Sequence, residues 1–341
     1  EYQAAIKFSI IVPARNEEEN IEKLIHSFNQ LKYPNGFFEL IIVDDFSEDT
    51  TVNKILPYCS SSVRLLQLSN LEEQSLKNKK RALHEGIQIA HHEFIITTDA
   101  DCVFNKHWLQ TIAFFIERDR ARMAIAPVVF TNDGSSLAAF QSLDFMMMQA
   151  VGISLFALGS ASMNNGANFI LEKKLFFELH GFDGVANIAS GDDFLFLNKY
   201  RKTPNPQISY VFHPDAIVHT LPQPSIGAFF QQRIRWASKM GNYKNVLLTS
   251  TLIFIFLFNV ISLWLIGMMF LQASYVLICM AFLGLKIFSE SLLLNKAKQF
   301  FNFDKAYSTL ICFQFPHIIY MVSAALFSKL KTYEWKGRIL R

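Results

Sequence analysis

Phe38-Glu39-Leu40-Ile41-Ile42-Val43-Asp44-Asp45 is an apolar, β-branched run that ends on two adjacent acids. A run of that length and composition reads as a strand buried in a parallel sheet. Carboxylates at the end of such a strand face the crevice in which open α/β sheets bind their ligands. The pattern recurs downstream, where Phe94 to Thr98 runs into Asp99-Ala100-Asp101. Working outward, Phe8 to Val12, closed by Pro13, predicts a first strand and Val63 to Leu68 a third. Between them, Ile21, Leu24, Ile25, Phe28 and Leu31 recur at helical spacing over Glu17–Leu31, and Ser47 or Asp49 can cap a helix ended by Pro57. A helix over Lys79–Ala90, a helix capped by Asn105 and running through Glu117, and a fifth strand over Met123–Phe130 complete the alternation. Strands and helices alternating with short connections predict a doubly wound sheet with right-handed crossovers. Ser135–Leu158 predicts a long apolar helix, either lying on a membrane or in a core.

The composition divides the chain. A length of 341 residues accommodates one α/β domain of roughly 200–250 residues and a second part. That second part is apolar. Val246 to Leu271 carries no charge, which exceeds the ~20 residues that span a hydrocarbon core. Tyr275 to Leu294 is interrupted only by Lys286 and Glu290, which are expected near a segment end with their polar heads reaching the interface. Ala306 to Leu330 holds Pro316 and is expected to be re-entrant or interfacial, because three full spans would set the basic tail opposite the α/β domain. A formal net charge of +3 gives no indication of nucleic-acid binding. Cys59, Cys102, Cys279 and Cys312 show no metal-ligand spacing and read as reduced thiols. No signal peptide is read, and the opening on Glu1 leaves room for a preceding membrane helix.

Four clusters carry the chemistry. Asp99 and Asp101, two residues apart after a strand, can converge on one Mn²⁺ or Mg²⁺ whose other positions go to phosphates and water; a solvated turn is the plain alternative. Asp44-Asp45 can accept from a nucleotide base or ribose, or simply open a polar loop. Pro13-Ala14-Arg15-Asn16-Glu17 stands where a glycine-rich phosphate loop would, which argues against a dinucleotide fold and a P-loop alike. Asp192-Asp193 either caps a helix or supplies a general base. Gln232, Arg235 and Trp236 share a helix face, suited to a diphosphate and a stacked sugar ring or to an interfacial anchor.

In this order, the motifs resemble those of the inverting family 2 glycosyltransferases. The matching segments are Pro13–Glu17, Asp44–Ser47, Asp99–Asp101, Asn165–Asn168 with Gly181–Asp183, Gly191–Asp193 and Gln232–Trp236. The resemblance implies a GT-A fold: α/β, a Rossmann-like doubly wound mixed sheet, followed by interfacial and transmembrane helices. It implies a catalytic domain over 1–223, with a nucleotide-sugar half (1–130) and an acceptor half (131–223). An interfacial helix over 224–245, membrane helices over 246–330 and a basic cytoplasmic tail over 331–341 follow. Asp193 is implied as base, with Asp192 beside it, and Arg235 as support for the leaving diphosphate. Pro13, Ala14, Arg15, Glu17, Asp44, Asp45, Lys79, Asp99, Ala100 and Asp101 are implied at the nucleotide sugar, with the metal on Asp101 and Asp99. Asn168, Asp192, Gln232, Arg233 and Trp236 are implied at the acceptor. Two departures from the family matter: the third cluster is Asp-Asp where Glu-Asp is commoner, and the membrane part is small for a polymer channel. They favour transfer from a UDP-sugar to a membrane lipid or lipid-linked acceptor, by an integral protein of the cytoplasmic membrane whose catalytic domain faces the cytoplasm. A processive polysaccharide synthase and a non-catalytic nucleotide-sensing membrane protein are the alternatives.

Overall fold

The structure is a computed structural model that describes residues 6–69, 79–131, 133–183, 192–238, 245–328, 333–335 and 338–340, the last two segments and Asp192 by backbone alone. Two compact units emerge. One comprises Glu1–Val129 with Ala161–Leu221, the other Phe130–Ser160 with Pro222–Arg341. The acceptor half expected over 131–223 is therefore divided between them.

In the first unit a seven-stranded sheet runs in the order β3-β2-β1-β4-β8-β6-β9. Its strands are β1 (Phe8–Ala14), β2 (Phe38–Asp44), β3 (Val63–Gln67), β4 (Phe94–Thr97), β6 (Met123–Ile125), β8 (Phe169–Glu172) and β9 (Ile208–Tyr210). β5 (Val103–Phe104), β10 (Val218–Thr220) and β7 (Val128–Phe130) form a small second sheet. β1 to β4 are mutually parallel, with Ala14 opposite Asp44. β8 lies antiparallel to both β4 and β6, so the sheet is mixed. The central strands are buried on both faces, which is why they read as unbroken apolar runs. Polar side chains among them are paired: Ser9 Oγ donates to Glu39 Oε1 at 2.6 Å.

Helices α1 (Ile21–Asn29), α2 (Thr51–Ile55), α3 (Lys79–Ile89), α4 (Trp108–Asp119), α6 (Lys173–Glu178) and α7 (Asp192–Tyr200) cover this sheet. α3 approaches β1 and β2 closely at Gly86. A Cβ there would lie 2.6 Å from Ile11 Cγ2 and 3.0 Å from Val43 Cγ2, so a side chain would force the helix off the sheet. Three local expectations are corrected. The strand expected over Met123–Phe130 is two strands in different sheets, because Pro127 stands between them and has no N–H to continue a ladder. Pro13 does not end β1, which runs on to Ala14 opposite Asp44. Asn105 caps no helix: its Oδ1 accepts from the His107 amide at 2.9 Å, and α4 begins at Trp108.

The second unit is helical. It holds α5 (Ser136–Ala157), α8 (Ile226–Ala237), α9 (Val246–Leu271), α10 (Tyr275–Phe300), α11 (Ala306–Cys312) and α12 (Gln314–Phe327), with a backbone hairpin of β11 (Tyr333–Trp335) and β12 (Arg338–Leu340). Ser135, Ser225 and Asn245 cap α5, α8 and α9 through their side-chain oxygens. α5 is a core helix of this unit. Leu143, Met146 and Ala150 pack with Leu294, Ala297, Ala306 and Leu310, and Phe140 packs with Phe229, Tyr320 and Ala324.

α9 and α10, of 26 residues each, are long and apolar enough to cross a membrane. α11 and α12 meet at a 68° bend, so the count is three if that pair forms one span. The bend falls at Phe313, three residues before Pro316. Placing Pro316 in the first turn of α12 avoids the missing N–H and ring clash it would bring to a helix interior. Lys286 and Glu290 correct the expectation of residues reaching outward from a segment end. α10 continues to Phe300, leaving Lys286 well inside it and only 2% exposed. Lys286 pairs with Glu290 and donates to Gln314 Oε1 at 3.0 Å, while Gln314 Nε2 donates to Glu290 Oε2 at 2.6 Å. The charge stays inside because it is paired on both sides.

Candidate active site

The loops after β1 and β2 are laced together. Asn16 N–H donates to Ser47 Oγ at 3.0 Å, Glu48 N–H to Asn16 Oδ1 at 2.9 Å, and Glu17 N–H to Thr51 Oγ1 at 2.8 Å. Arg15 reaches the Asp45 carbonyl at 2.8 Å and Glu48 at 3.0 Å. Asn16 and Phe46 hold left-handed backbone (φ 51° and 59°), the bends that let each loop double back. Pro13 and Ala14 contribute as the last residues of β1. The lacing leaves Asp44 and Asp45 buried at the C-terminal edge of the sheet. Asp44 Oδ2 accepts from the Ser47 amide at 3.3 Å, whereas its buried Oδ1 has no hydrogen-bond partner among the described residues. A buried carboxylate oxygen left so is suited to a donor from a ligand.

Two strands along, Asp99, Ala100 and Asp101 follow β4. Lys79, the first residue of α3, forms an ion pair with Asp99. β5 begins two residues after Asp101, and β10 pairs with β5 so that Thr220 comes alongside; Thr220 Oγ1 donates to Asp101 Oδ2 at 2.9 Å. Burial, and then the neighbouring Asp99 charge, push the Asp101 carboxyl up to about 6. Two carboxylates so crowded are a hard-oxygen pair suited to Mn²⁺ or Mg²⁺, whose charge would relieve both desolvation and repulsion. Among the described residues no third His, Cys, Asp or Glu joins them.

Asp193 belongs to the same unit. Thr97 Oγ1, at the end of β4, donates to the Gly166 carbonyl at 2.7 Å, and a Cβ at Gly166 would sit 3.6 Å from Asp193 Cγ. One tight turn thus links the end of β4, just before Asp99 and Asp101, to the Asp193 carboxyl. The side chain of Asp192 lies outside the described residues.

Two residues expected at the acceptor turn inward instead. Asn168 is fully buried: its Nδ2 donates to the Pro127 and Ala216 carbonyls, both at 2.8 Å, and its Oδ1 accepts from the Trp108 indole at 3.2 Å. Both amide protons are engaged in the core. Arg233 is buried in the second unit, with Nη2 2.6 Å and Nε 2.9 Å from Asp144 Oδ2. The predicted face of Gln232, Arg235 and Trp236 does lie on one helix, α8. Gln232 Oε1 accepts from Arg233 at 2.8 Å, and the half-buried Trp236 packs on Phe145 at 5.7 Å between ring centroids. Thr220, Asp144 and Tyr320 gave no sequence signal, since each acts through a partner distant in the chain.

With this geometry in view, the family model for glycosyl transferase family 2 matches residues 9–183, just over half of the chain. The chain belongs to glycosyl transferase family 2. This family 2 glycosyltransferase is 33% identical over 127 residues to a poly(ribitol-phosphate) beta-N-acetylglucosaminyltransferase of Staphylococcus aureus, covering 37% of the chain and 22% of that protein. It is 31% identical over 155 residues to a beta-monoglucosyldiacylglycerol synthase of Trichormus variabilis, covering 44% of the chain and 33% of that protein. The chain thus spans a third or less of these two relatives. Among solved structures, a mannosyltransferase from Pyrobaculum calidifontis in complex with GDP-Man and Mn²⁺ superposes with a TM-score of 0.56 at 15% identity, over 95% of this chain and 87% of that one. The shared fold is GT-A.

Proposed function

We propose that this family 2 glycosyltransferase moves a single sugar, with inversion, from a UDP-sugar to a membrane lipid or lipid-linked acceptor. The observation that carries the reading is the gathering, in one unit, of Asp44 with an oxygen that has no partner among the described residues, the Asp99–Asp101 pair and Asp193 around the C-terminal edge of β2, β1 and β4. Asp44 and Asp45 accept from the base and ribose, and Pro13, Ala14, Arg15 and Glu17 frame that end of the pocket. Asp101 and Asp99 would hold Mn²⁺ or Mg²⁺, which supplies charge neutralisation for the departing diphosphate. Lys79, already paired with Asp99, adds a second positive charge there. Asp193 takes the proton from the acceptor hydroxyl as its oxygen attacks the anomeric carbon and the bond to the diphosphate breaks on the opposite face. Asp192 borders that base, Arg235 supports the leaving group, and Gln232 and Trp236 receive the acceptor. The apolar helices α9 and α10 support membrane association, and in this reading the protein is integral to the cytoplasmic membrane with its catalytic unit facing the cytoplasm.

Incubating the purified protein with Mn²⁺, labelled UDP- or GDP-sugars and membrane lipid extract should yield a glycolipid of discrete size from a UDP-sugar. A ladder of products would instead identify a processive synthase. D193N should bind donor as wild type does and lose transfer; near wild-type turnover would remove Asp193 as the base.

A further inference from the structure

Within the second unit, Asp144 of α5 sits at the centre of a buried polar cluster. Arg233 of α8 reaches its Oδ2 through Nη2 at 2.6 Å and Nε at 2.9 Å, and the hydroxyl of Tyr320 on α12 donates to its Oδ1. His317, one turn before Tyr320, approaches Oδ1 at 3.8 Å. The same guanidinium lies against two rings of its own helix, 4.6 Å from the centroid of Phe229 and 4.3 Å from that of Trp236. Phe145, the neighbour of Asp144 on α5, also packs on Trp236, at 5.7 Å between ring centroids.

We infer that Asp144 is a positioning residue for Trp236: through Arg233, it sets the orientation of the indole that the proposed function assigns to the acceptor. The inference rests on that assignment for its effect on transfer, though not for the geometry itself. Three features support it. Removing the Asp144 charge leaves Arg233 buried without its counter-ion, and the guanidinium then has reason to turn toward water and away from the ring. The planar cation over an aromatic face is directional, so where Arg233 points decides which face of Trp236 is covered. Tyr320 in turn fixes Asp144, which ties the orientation of the indole to α12, the helix that follows the bend at Phe313. Arg233, implied by the motif as an acceptor contact, is thereby reassigned as the link between Asp144 and Trp236.

The test uses the full chain in nanodiscs, labelled with 5-fluorotryptophan, with the Trp236 fluorine resonance assigned by W236F. D144N is expected to shift or broaden the Trp236 resonance while those of Trp108 and Trp264 stay in place. In transfer assays it should raise the acceptor KM about tenfold or more, as misplacement of a binding group does, with donor affinity held within twofold. Y320F removes one hydrogen bond and no charge, so it should move the same resonance less; it also serves as the reading should D144N fail to fold. D144E, which keeps the carboxylate, should recover part of the wild-type signal. A Trp236 resonance unmoved in both D144N and Y320F overturns the inference, as does a uniform shift of all assigned resonances. A moved resonance without any transfer in the wild-type protein would fault the proposed function and leave the positioning intact.

Discussion

Replacing Asn168 by alanine separates two roles that the motif alone leaves together. If Asn168 binds the acceptor, N168A weakens transfer and leaves the fold untouched. The structure argues for the reverse. Of its three partners, the Pro127 carbonyl keeps a second donor, the Val218 amide at 3.1 Å. The Ala216 carbonyl and the fully buried Trp108 indole N–H lose the Asn168 amide, the hydrogen-bond partner of each. Each buried group left unsatisfied costs about 1–3 kcal/mol, so the two together cost about 2–6 kcal/mol. For a unit of this size, 1 kcal/mol moves the midpoint by about 2–4 °C, which puts the expected loss in Tm on the order of 10 °C. Differential scanning of the detergent-solubilised protein, with near-UV circular dichroism reporting on the Trp108 environment, measures it. A fall of less than about 2 °C, within ordinary surface-substitution effects, accompanied by a raised acceptor KM would refute the reasoning and restore Asn168 to the acceptor side.

Two further outcomes are expected. Calorimetry should find that Mn²⁺ raises UDP affinity in the wild type and not in D101N, because the substitution removes the carboxylate that burial and Asp99 have destabilised; an unchanged metal dependence would count against the proposed ion site. Glu39 yields a pH dependence. Burial would raise its carboxyl, but hydrogen bonds from Ser9, the His91 amide and Arg64 prevail and hold it below the ordinary carboxylate value. A folded-state value below the unfolded one contributes stability above about pH 4.3, lost as the pH falls through the folded value. The Tm advantage of wild type over E39Q should therefore be constant near neutrality and shrink below that point; a gap that widens on acidification would show the sign to be wrong.

Much of this protein is legible from local pattern. β1, β2 and β4 are buried on both faces, so their residues form unbroken apolar runs, and the acids at the ends of β2 and β4 stand out against them. α9 is legible for the same reason, since none of its 26 residues carries a charge to interrupt the apolar run. The order of the acidic clusters and the tryptophan-bearing helix was enough to indicate the family.

Tertiary structure decided whatever depends on a partner distant in the chain. An antiparallel β8 beside β4 has no local signature, because a strand's composition does not record its direction. Asn168, Arg233 and Lys286 are all polar, and sequence offers the same reading for each: a ligand contact or an outward-reaching end. Each is paired inside the protein with a residue 60, 89 or 28 positions away, at Trp108, Asp144 and Gln314 respectively. A side chain's chemistry is set by its covalent structure, and so by sequence; whether that chemistry faces a ligand or a neighbour is set by which other groups the fold brings within hydrogen-bonding distance.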